Sequence, residues 1–408
     1  MTDKIRVLAW SDSVLAPTGF GTVSRHVLAG LHATGRYRID QLAINYFGEF
    51  FDFADYPYQI SSARLLDPSD PFGNRQLIRS LERGDYDLLW ILNDINVVQS
   101  VATELERVKN EKRVRGKKVF KTIFYYPVDN VVWPHVAGMI RSADAVVTYT
   151  EWAKQQTLAA LPDLNKPVHV IPHGVDPDAF FPYPADLRFR ARKEVLGIPD
   201  PNTFIVLNVN RNNPRKNLSQ SILAFSELRK QAPNSHLHIH TNPIEGDIDL
   251  FQPCAYLGLR VPEDVSFPHS QILNNETGLS IEMLNALYNT ADVFLTTTLG
   301  EGWSLTVSEA MAAGVPVVAP RHTALTEVLS TSQSHLAHPY ECSEQTRVDN
   351  SGYRPLGLTS AIAKQLLACF ENWQRRDPGV AKTDAIDIER TWESVIEQWI
   401  DVVQKLFK

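Results

Sequence analysis

Short runs of β-branched and apolar residues return along the whole 408-residue chain, separated by longer stretches of helical spacing. In the first half they fall at 6–10, 39–44, 88–92, 121–125, 145–149 and 168–171. A strand covered by helices on both faces reads as one continuous apolar run, whereas a strand with a wet face alternates. These runs are continuous, so the spacing predicts parallel sheets with helices on both sides, an α/β chain.

After Ile171-Pro172-His173-Gly174-Val175-Asp176 the chain turns proline-rich, with Pro177, Pro182, Pro184, Pro199 and Pro201 around a basic helical piece at 188–196. We read this as the connection between two domains. A second alternating series follows, with strands expected at 203–209, 236–240, 265–267, 293–297 and 316–319 and helices at 218–231, 281–290 and 304–313. The expected division is an N-terminal Rossmann-like domain at 1–185, a C-terminal Rossmann-like domain at 186–385 and a terminal helix at 386–408. That helix carries Trp392, Val395, Ile396, Trp399, Val402, Val403 and Leu406 at spacings of three and four, one apolar face that must pack on something. The polar stretch 330–357 has little periodicity and reads as a long loop, either substrate-facing or a plain surface excursion.

Apolar residues make up 44% and charged residues 21%, enough to bury sizeable cores, and the net charge of −7 argues against a nucleic-acid backbone or an anionic membrane as the default partner. Cys254, Cys342 and Cys369 are odd in number and far apart, which fits a reducing, cytoplasmic compartment. The start of the chain lacks a signal-peptide pattern, and no apolar run approaches the ~18–20 residues of a membrane span.

Chemistry concentrates in Thr298-Leu299-Gly300-Glu301-Gly302-Trp303-Ser304-Leu305-Thr306-Val307-Ser308-Glu309, read as strand end, glycine-bearing loop and helix start. The first amides of a helix have no partner within it and lie at the positive end of its dipole, so they favour a phosphate or a polar sugar edge. Glu301 falls in the loop and Glu309 in the following helix, where carboxylates accept hydrogen bonds from ribose or sugar hydroxyls. In isolation the pair reads equally well as a loop acid and a helix-surface charge.

The segment resembles the E-x7-E signature of retaining glycosyltransferases of family 4, which have the GT-B fold. Where that family shows Glu-Gly-Phe-Gly-Leu, this chain has Glu301-Gly302-Trp303-Ser304-Leu305. Asn208-Val209-Asn210-Arg211-Asn212-Asn213-Pro214-Arg215-Lys216-Asn217 matches the family's basic pair at Arg211 and Lys216, whose task is to neutralise the departing diphosphate. Asn210 and Asn217 stand where glycines are usual; asparagine tolerates left-handed backbone, and Arg215 rivals either cation. Three weaker matches follow. Gly19 and Gly21 after the first strand resemble the N-terminal glycine turn, which would let the backbone approach donor phosphate or acceptor, or is simply a tight turn. Asp129 in Tyr125-Tyr126-Pro127-Val128-Asp129-Asn130 stands where the family carries a histidine near the reacting sugar, with His26 and His135 as alternatives; Asp129 as the cap of a helix at 133–141 carries equal weight. The segment 171–176 resembles the family's stretch before the interdomain linker.

What the resemblance implies is two Rossmann-like domains facing across a cleft, the terminal helix crossing back to the first, acceptor in the first half and donor in the second. The expected reaction moves a sugar, a hexose in the first instance, from a UDP- or GDP-sugar to a hydroxyl with retention of configuration and no metal. Asp129, Arg211, Lys216 and Glu301 would be catalytic. Gly19, Gly21, Arg211, Lys216, Glu301, Gly302, Trp303, Ser304, Leu305 and Glu309 would bind the donor. The acceptor stays open among glycan, lipid-linked sugar, metabolite and protein, with a modified DNA base disfavoured by the acidic balance. The alternative is a non-catalytic nucleotide-sugar or glycan-binding protein. His236, His238 and His240 share one strand face, but an exposed sheet end explains them better than a metal. The Asp-x-Asp triplets at 85–87 and 247–249 are chance spacings.

Overall fold

The computed structural model describes residues 4–65, 67–269, 278–331, 333–348, 352–375 and 390–408. The chain forms two compact units, Met1–Gly174 with Trp392–Lys408, and Val175–Thr391. Both are α/β with parallel sheets.

In the first unit the order is β1 (Ile5–Asp12), α1 (Gly19–Ala33), β2 (Tyr37–Ile44), β3 (Gln59–Ser62), α2 (Asn74–Arg83), β4 (Leu88–Leu92), α3 (Ile95–Val114), β5 (Lys121–Tyr126), α4 (Gly138–Ser142), β6 (Ala145–Thr148), α5 (Glu151–Ala160) and β7 (Val168–Val170). The strands pair in parallel in the order β3-β2-β1-β4-β5-β6-β7. The apolar runs are buried because they lie inside this sheet: every residue of β4 is fully covered. The last helix, α13 (Trp392–Leu406), returns to this unit. Its Trp392 stacks on His26 of α1 at 4.4 Å, Ile396 fills the space over Gly30, and the fully buried Trp399 meets Trp90 and Tyr125 edge-on. Removing an indole so buried costs about 3–5 kcal/mol.

The second unit runs α6 (Ala185–Val195), β8 (Phe204–Val209), α7 (Leu218–Arg229), β9 (Ser235–His240), a hairpin of β10 (Ile244–Glu245) and β11 (Ile248–Asp249), α8 (Phe251–Tyr256), β12 (Val265–Ser266), α9 (Ile281–Thr290), β13 (Val293–Leu295), α10 (Leu305–Ala312), β14 (Val317–Pro320), α11 (Leu325–Val328), β15 (Ala337–Tyr340), a second hairpin of β16 (Glu344–Thr346) and β17 (Arg354–Leu356), and α12 (Thr359–Gln374). Its sheet order is β12-β9-β8-β13-β14-β15, all parallel. The chain order reverses between β8 and β13, and open α/β sheets bind ligands beyond the strand ends at such a reversal.

Several expectations change. The connector 175–185 belongs to the second unit, since the Phe181 and Tyr183 amides donate to Asn285 and Asn289 of α9, and Val175 bridges Thr391. On α6, which follows, Arg188 and Arg192 both bind the fully buried Asp292 side chain, at 2.6 and 2.5 Å. The boundary expected at 385/386 falls outside the described residues. Residues 337–340 of the polar stretch are not loop but the edge strand β15. His236 and His238 are not at an exposed sheet end: both are buried and share the Ser266 hydroxyl at 2.7 and 2.8 Å, and burial pushes both rings below their ordinary pKa, favouring neutral imidazoles. No group of three or more metal-ligating side chains occurs among the described residues, nor any helix long and apolar enough to cross a membrane.

Candidate active site

Glu301 and Lys216 lie 85 residues apart, yet β8 and β13 are hydrogen-bonded neighbours, with Leu207 opposite Phe294. The loops leaving their carboxyl ends must therefore meet. The loop after β8 makes a short turn at Pro214–Lys216, capped by the Asn213 side chain, which accepts from the Lys216 amide at 3.1 Å. Asn217 then takes the left-handed conformation, φ 51 and ψ 46. The left-handed backbone thus survives the loss of glycine here, as asparagine chemistry allows. Asn210, by contrast, is not left-handed; its side chain donates to Asn208.

A buried polar network locks this turn to the neighbouring strand end. Asn208 donates to Ser221, Ser221 and Thr297 share a hydrogen bond of 2.7 Å, and Thr297 also donates to the Asn217 carbonyl at 2.9 Å. The Leu299 amide donates to the Arg215 carbonyl. So fixed, Lys216 places Nζ 2.5 Å from Oε1 of Glu301, while Arg215 reaches Oε2 at 3.2 Å and the Gly300 carbonyl. Glu301 is 5% exposed. Its burial alone would raise the carboxyl pKa, but Lys216 and Arg215 outweigh it and hold the value down at about 2. The Glu301 amide donates to Thr323, and the buried His322 bridges Thr323 and the Thr298 carbonyl, so the loop after β14 braces the glutamate from behind.

Arg211 does not join this cluster. Its Nε donates to Oε1 of Glu245 in the β10 hairpin at 2.8 Å, and its side chain is 75% exposed. The reason is local: the Asn213–Asn217 turn that aims the following cations at Glu301 lies beyond Arg211. Arg215, the rival, occupies the place expected of it.

Gly302 and Trp303 lead into Ser304, which caps α10 at φ 89 and ψ 77. That left-handed region favours glycine, so the serine stores strain of about 1–2 kcal/mol. Trp303 is buried beneath the guanidinium of Arg390, 5.5 Å from its ring centre. The Val307 and Ser308 amides turn back to the Ser304 carbonyl, while the amides ahead of them, Leu305 and Thr306, precede the first turn's ladder. Glu309 follows in the second turn of α10, 8% exposed, and accepts a 2.7 Å hydrogen bond from the Tyr288 hydroxyl. Burial drives its pKa up to about 7, with the tyrosine pulling the other way.

In the first unit, Thr18 caps α1 by accepting from the Gly21 amide and donates to Asp12 at 2.6 Å. A Cβ on Gly21 would fall 2.3 Å from the Ala16 carbonyl, so the turn itself requires this glycine. Gly19 opens α1. Asp129 is half-buried in the loop after β5. It is not a helix cap, because α4 begins only at Gly138 and is preceded by Ala137.

Two parallel-sheet units, the second with cations and carboxylates gathered at its strand reversal, define a GT-B glycosyltransferase fold. Residues 203–346 match the family model described as Glycosyl transferases group 1, and the second unit is therefore a family-4-like glycosyltransferase domain. The MMP alpha-(1->4)-mannosyltransferase of Mycolicibacterium hassiacum is 29% identical over 240 residues, 58% of this chain and 48% of that protein. The GDP-mannose-dependent alpha-(1-6)-phosphatidylinositol monomannoside mannosyltransferase of Mycolicibacterium smegmatis is 34% identical over 185 residues, 43% of this chain and 44% of that one. The chain spans about half the length of the curated relatives it matches. Among solved structures, sucrose-phosphate synthase from Thermosynechococcus elongatus superposes with a TM-score of 0.70 at 16% identity, covering 99% of both chains.

Tyr288, Thr297, His322 and Thr323 were not singled out by sequence. Each reads as an ordinary core or strand-end residue, and only the fold shows what it touches.

Proposed function

We propose that this chain transfers a hexose from a nucleoside-diphosphate sugar to a hydroxyl acceptor with retention of configuration, using fixed cations rather than a metal. The observation that carries this reading is the convergence of Lys216 and Arg215 on Glu301 at the start of α10, with Glu309 one turn further on. As the glycosidic bond breaks, negative charge builds on the leaving phosphate oxygen. Cations already in place stabilise that charge without reorganising. Lys216 leads, with Arg215 beside it; the exposed Arg211 joins them when phosphate displaces its partner Glu245.

Glu301 and the amides of Trp303, Ser304 and Leu305 hold the transferred sugar, and Glu309 accepts from the ribose hydroxyls. Gly302 lets the loop lie close to the ligand. In the first unit, Gly19, Gly21 and Asp129 are assigned to donor phosphate, acceptor and sugar hydroxyls. We assign no covalent nucleophile to the second unit's cluster, since Glu301 and Glu309 are given to sugar and ribose hydroxyls. Attack on the donor's own face, with the departing phosphate oxygen taking the acceptor proton, balances the step: one C–O bond forms, one breaks, and the proton leaves on the nucleoside diphosphate.

Relatives that use mannose make GDP-mannose the first donor to try, with UDP-glucose beside it. Incubation of the full chain with each donor, in buffer containing a chelator, should release nucleoside diphosphate, and NMR of the product should show the donor's anomeric configuration. Inversion, or release that requires a divalent ion, refutes the proposal.

A further inference from the structure

Glu309 is held by a residue that the proposed chemistry does not use. Tyr288 sits on α9, fully buried, and its hydroxyl donates to Oε2 of Glu309 at 2.7 Å. Its ring is wedged between Phe180 of the connector and Phe294 of β13, each centroid 6.0 Å away. The connector is itself tied to α9, because the Asn289 side chain donates to the Phe181 carbonyl and accepts from the Tyr183 amide. A tyrosine confined this way has one place for its hydroxyl.

We propose that Tyr288 is the positioning residue for Glu309: it occupies one carboxylate oxygen and presents the other to the ribose hydroxyls of the donor nucleotide. The inference rests on the reading of Glu309 as the ribose ligand. A glutamate at the second turn of a helix has three rotatable side-chain bonds, and a hydrogen bond to a charged partner selects among its rotamers. With the hydroxyl removed, the carboxylate samples positions that do not meet the ribose, and nucleotide affinity falls while the cations under the diphosphate stay where they are.

A second consequence separates positioning from packing. The tyrosine hydrogen bond lowers the proton affinity of Glu309, and burial raises it. Burial and the Tyr288 hydrogen bond are the causes acting on Glu309: β13 and β14 carry no titratable side chain, α10 has only Glu309, the remaining acid of α9, Glu282, is exposed, and Lys216 and Arg215 before the helix are paired with Glu301. Loss of the hydroxyl therefore moves the protonation of Glu309 to higher pH.

The test uses the full chain with GDP, UDP and inorganic pyrophosphate as probes, by calorimetry from pH 5.5 to 9. In Tyr288→Phe the better-bound nucleotide should weaken about tenfold, the loss of one hydrogen bond to a charged group. Pyrophosphate binding should be unchanged, and the pH below which nucleotide affinity is lost should move up. Glu309→Gln should weaken the nucleotide and spare pyrophosphate. Glu309→Asp, which withdraws the carboxylate from the hydroxyl, should show the same split and serves should Tyr288→Phe not fold. If Glu309→Gln weakens the nucleotide but Tyr288→Phe does not, or its pH profile stays put, positioning is overturned and the ribose reading stands. Equal weakening of nucleotide and pyrophosphate in Tyr288→Phe also overturns it. If Glu309→Gln leaves nucleotide affinity intact, or neither nucleotide binds the unaltered protein, the ribose reading falls and this inference with it.

Discussion

Replacing Lys216 by methionine keeps the apolar stem and removes the charge that faces Glu301 at 2.5 Å. Two effects are then expected, and they separate. Breaking a buried ion pair costs about 3–5 kcal/mol when the other charge is left alone. Here Arg215 stays 3.2 Å from the second oxygen, so a cost nearer 2 kcal/mol is expected. Glu301 also loses much of what holds its pKa down at about 2, against an ordinary 4.5. A carboxyl depressed in the folded state adds stability above its unfolded pKa and loses it as pH falls through the folded value. At 1.36 kcal/mol per pH unit the wild-type contribution is about 3 kcal/mol, in place above pH 4.5 and lost between 4.5 and 2. Acid unfolding of Lys216→Met should therefore begin at higher pH. The chemical effect is larger: loss of a donor aimed at developing charge costs about 10²–10³ in rate. Nucleoside diphosphate release at saturating donor measures it, alongside the melting temperature. Adding Glu301→Gln to Lys216→Met should return part of the stability, since the buried carboxylate is gone while the part-exposed Arg215 keeps the Gly300 carbonyl, without returning turnover. Turnover of Lys216→Met within about threefold of wild type, or its recovery in the double variant, refutes the leaving-group argument.

Glu309→Gln should stabilise the fold at alkaline pH. A carboxyl raised to about 7 contributes its full stability below 4.5 and loses it as pH rises through 7, so the gain should reach about 3 kcal/mol by pH 8 and vanish near pH 4, read as melting temperature against pH. Ser304→Gly should relieve the backbone at φ 89 and stabilise by about 1 kcal/mol after the entropy cost of glycine; an unchanged or lower melting temperature counts against strain there. Glu245→Ala removes the carboxylate that competes for Arg211. An exposed pair is worth about 0–1 kcal/mol, so GDP or UDP should bind up to about fivefold tighter, a gain that general destabilisation does not produce; unchanged affinity places Arg211 outside the phosphate site.

The parallel sheets were legible because double burial leaves a plain trace: β4 is apolar throughout, and β5 and β8 hold the apolar runs Ile123-Phe124-Tyr125-Tyr126 and Phe204-Ile205-Val206-Leu207, each too short for a buried helix. The edge strands β3 and β15 escaped because their residues, Gln59-Ile60-Ser61-Ser62 and Ala337-His338-Pro339-Tyr340, carry no continuous apolar signal, whereas the other two edges, β7 and β12, hold the valines that made them readable. The face of α13 was readable from its indoles, because a stripe of tryptophan and valine at helical spacing has to be covered.

The site divides along the same line. Glu301, Lys216 and Glu309 carry their chemistry in residue type and spacing, and the adjacency of β8 and β13 brings the first two together whatever the loop details. Choosing between Arg211 and Arg215 needs something spacing does not hold, the direction of the chain at each arginine. That direction is set by Asn213 capping a three-residue turn and by left-handed Asn217, two short-range events that together rotate the path between one arginine and the next. A serine at φ 89 is unreadable for a similar reason: sequence shows a missing glycine but not whether the backbone changed with it. Here the backbone lies in the region that glycine favours. Because strain of this kind persists only where the surroundings over-determine it, the Ser304 amide is held in place by Glu301's braces and by the buried Trp303 rather than by its own preference. The loop geometry is thus a property of the fold around it, and substitutions within 301–305 should be felt as changes in ligand affinity before they are felt as changes in loop shape.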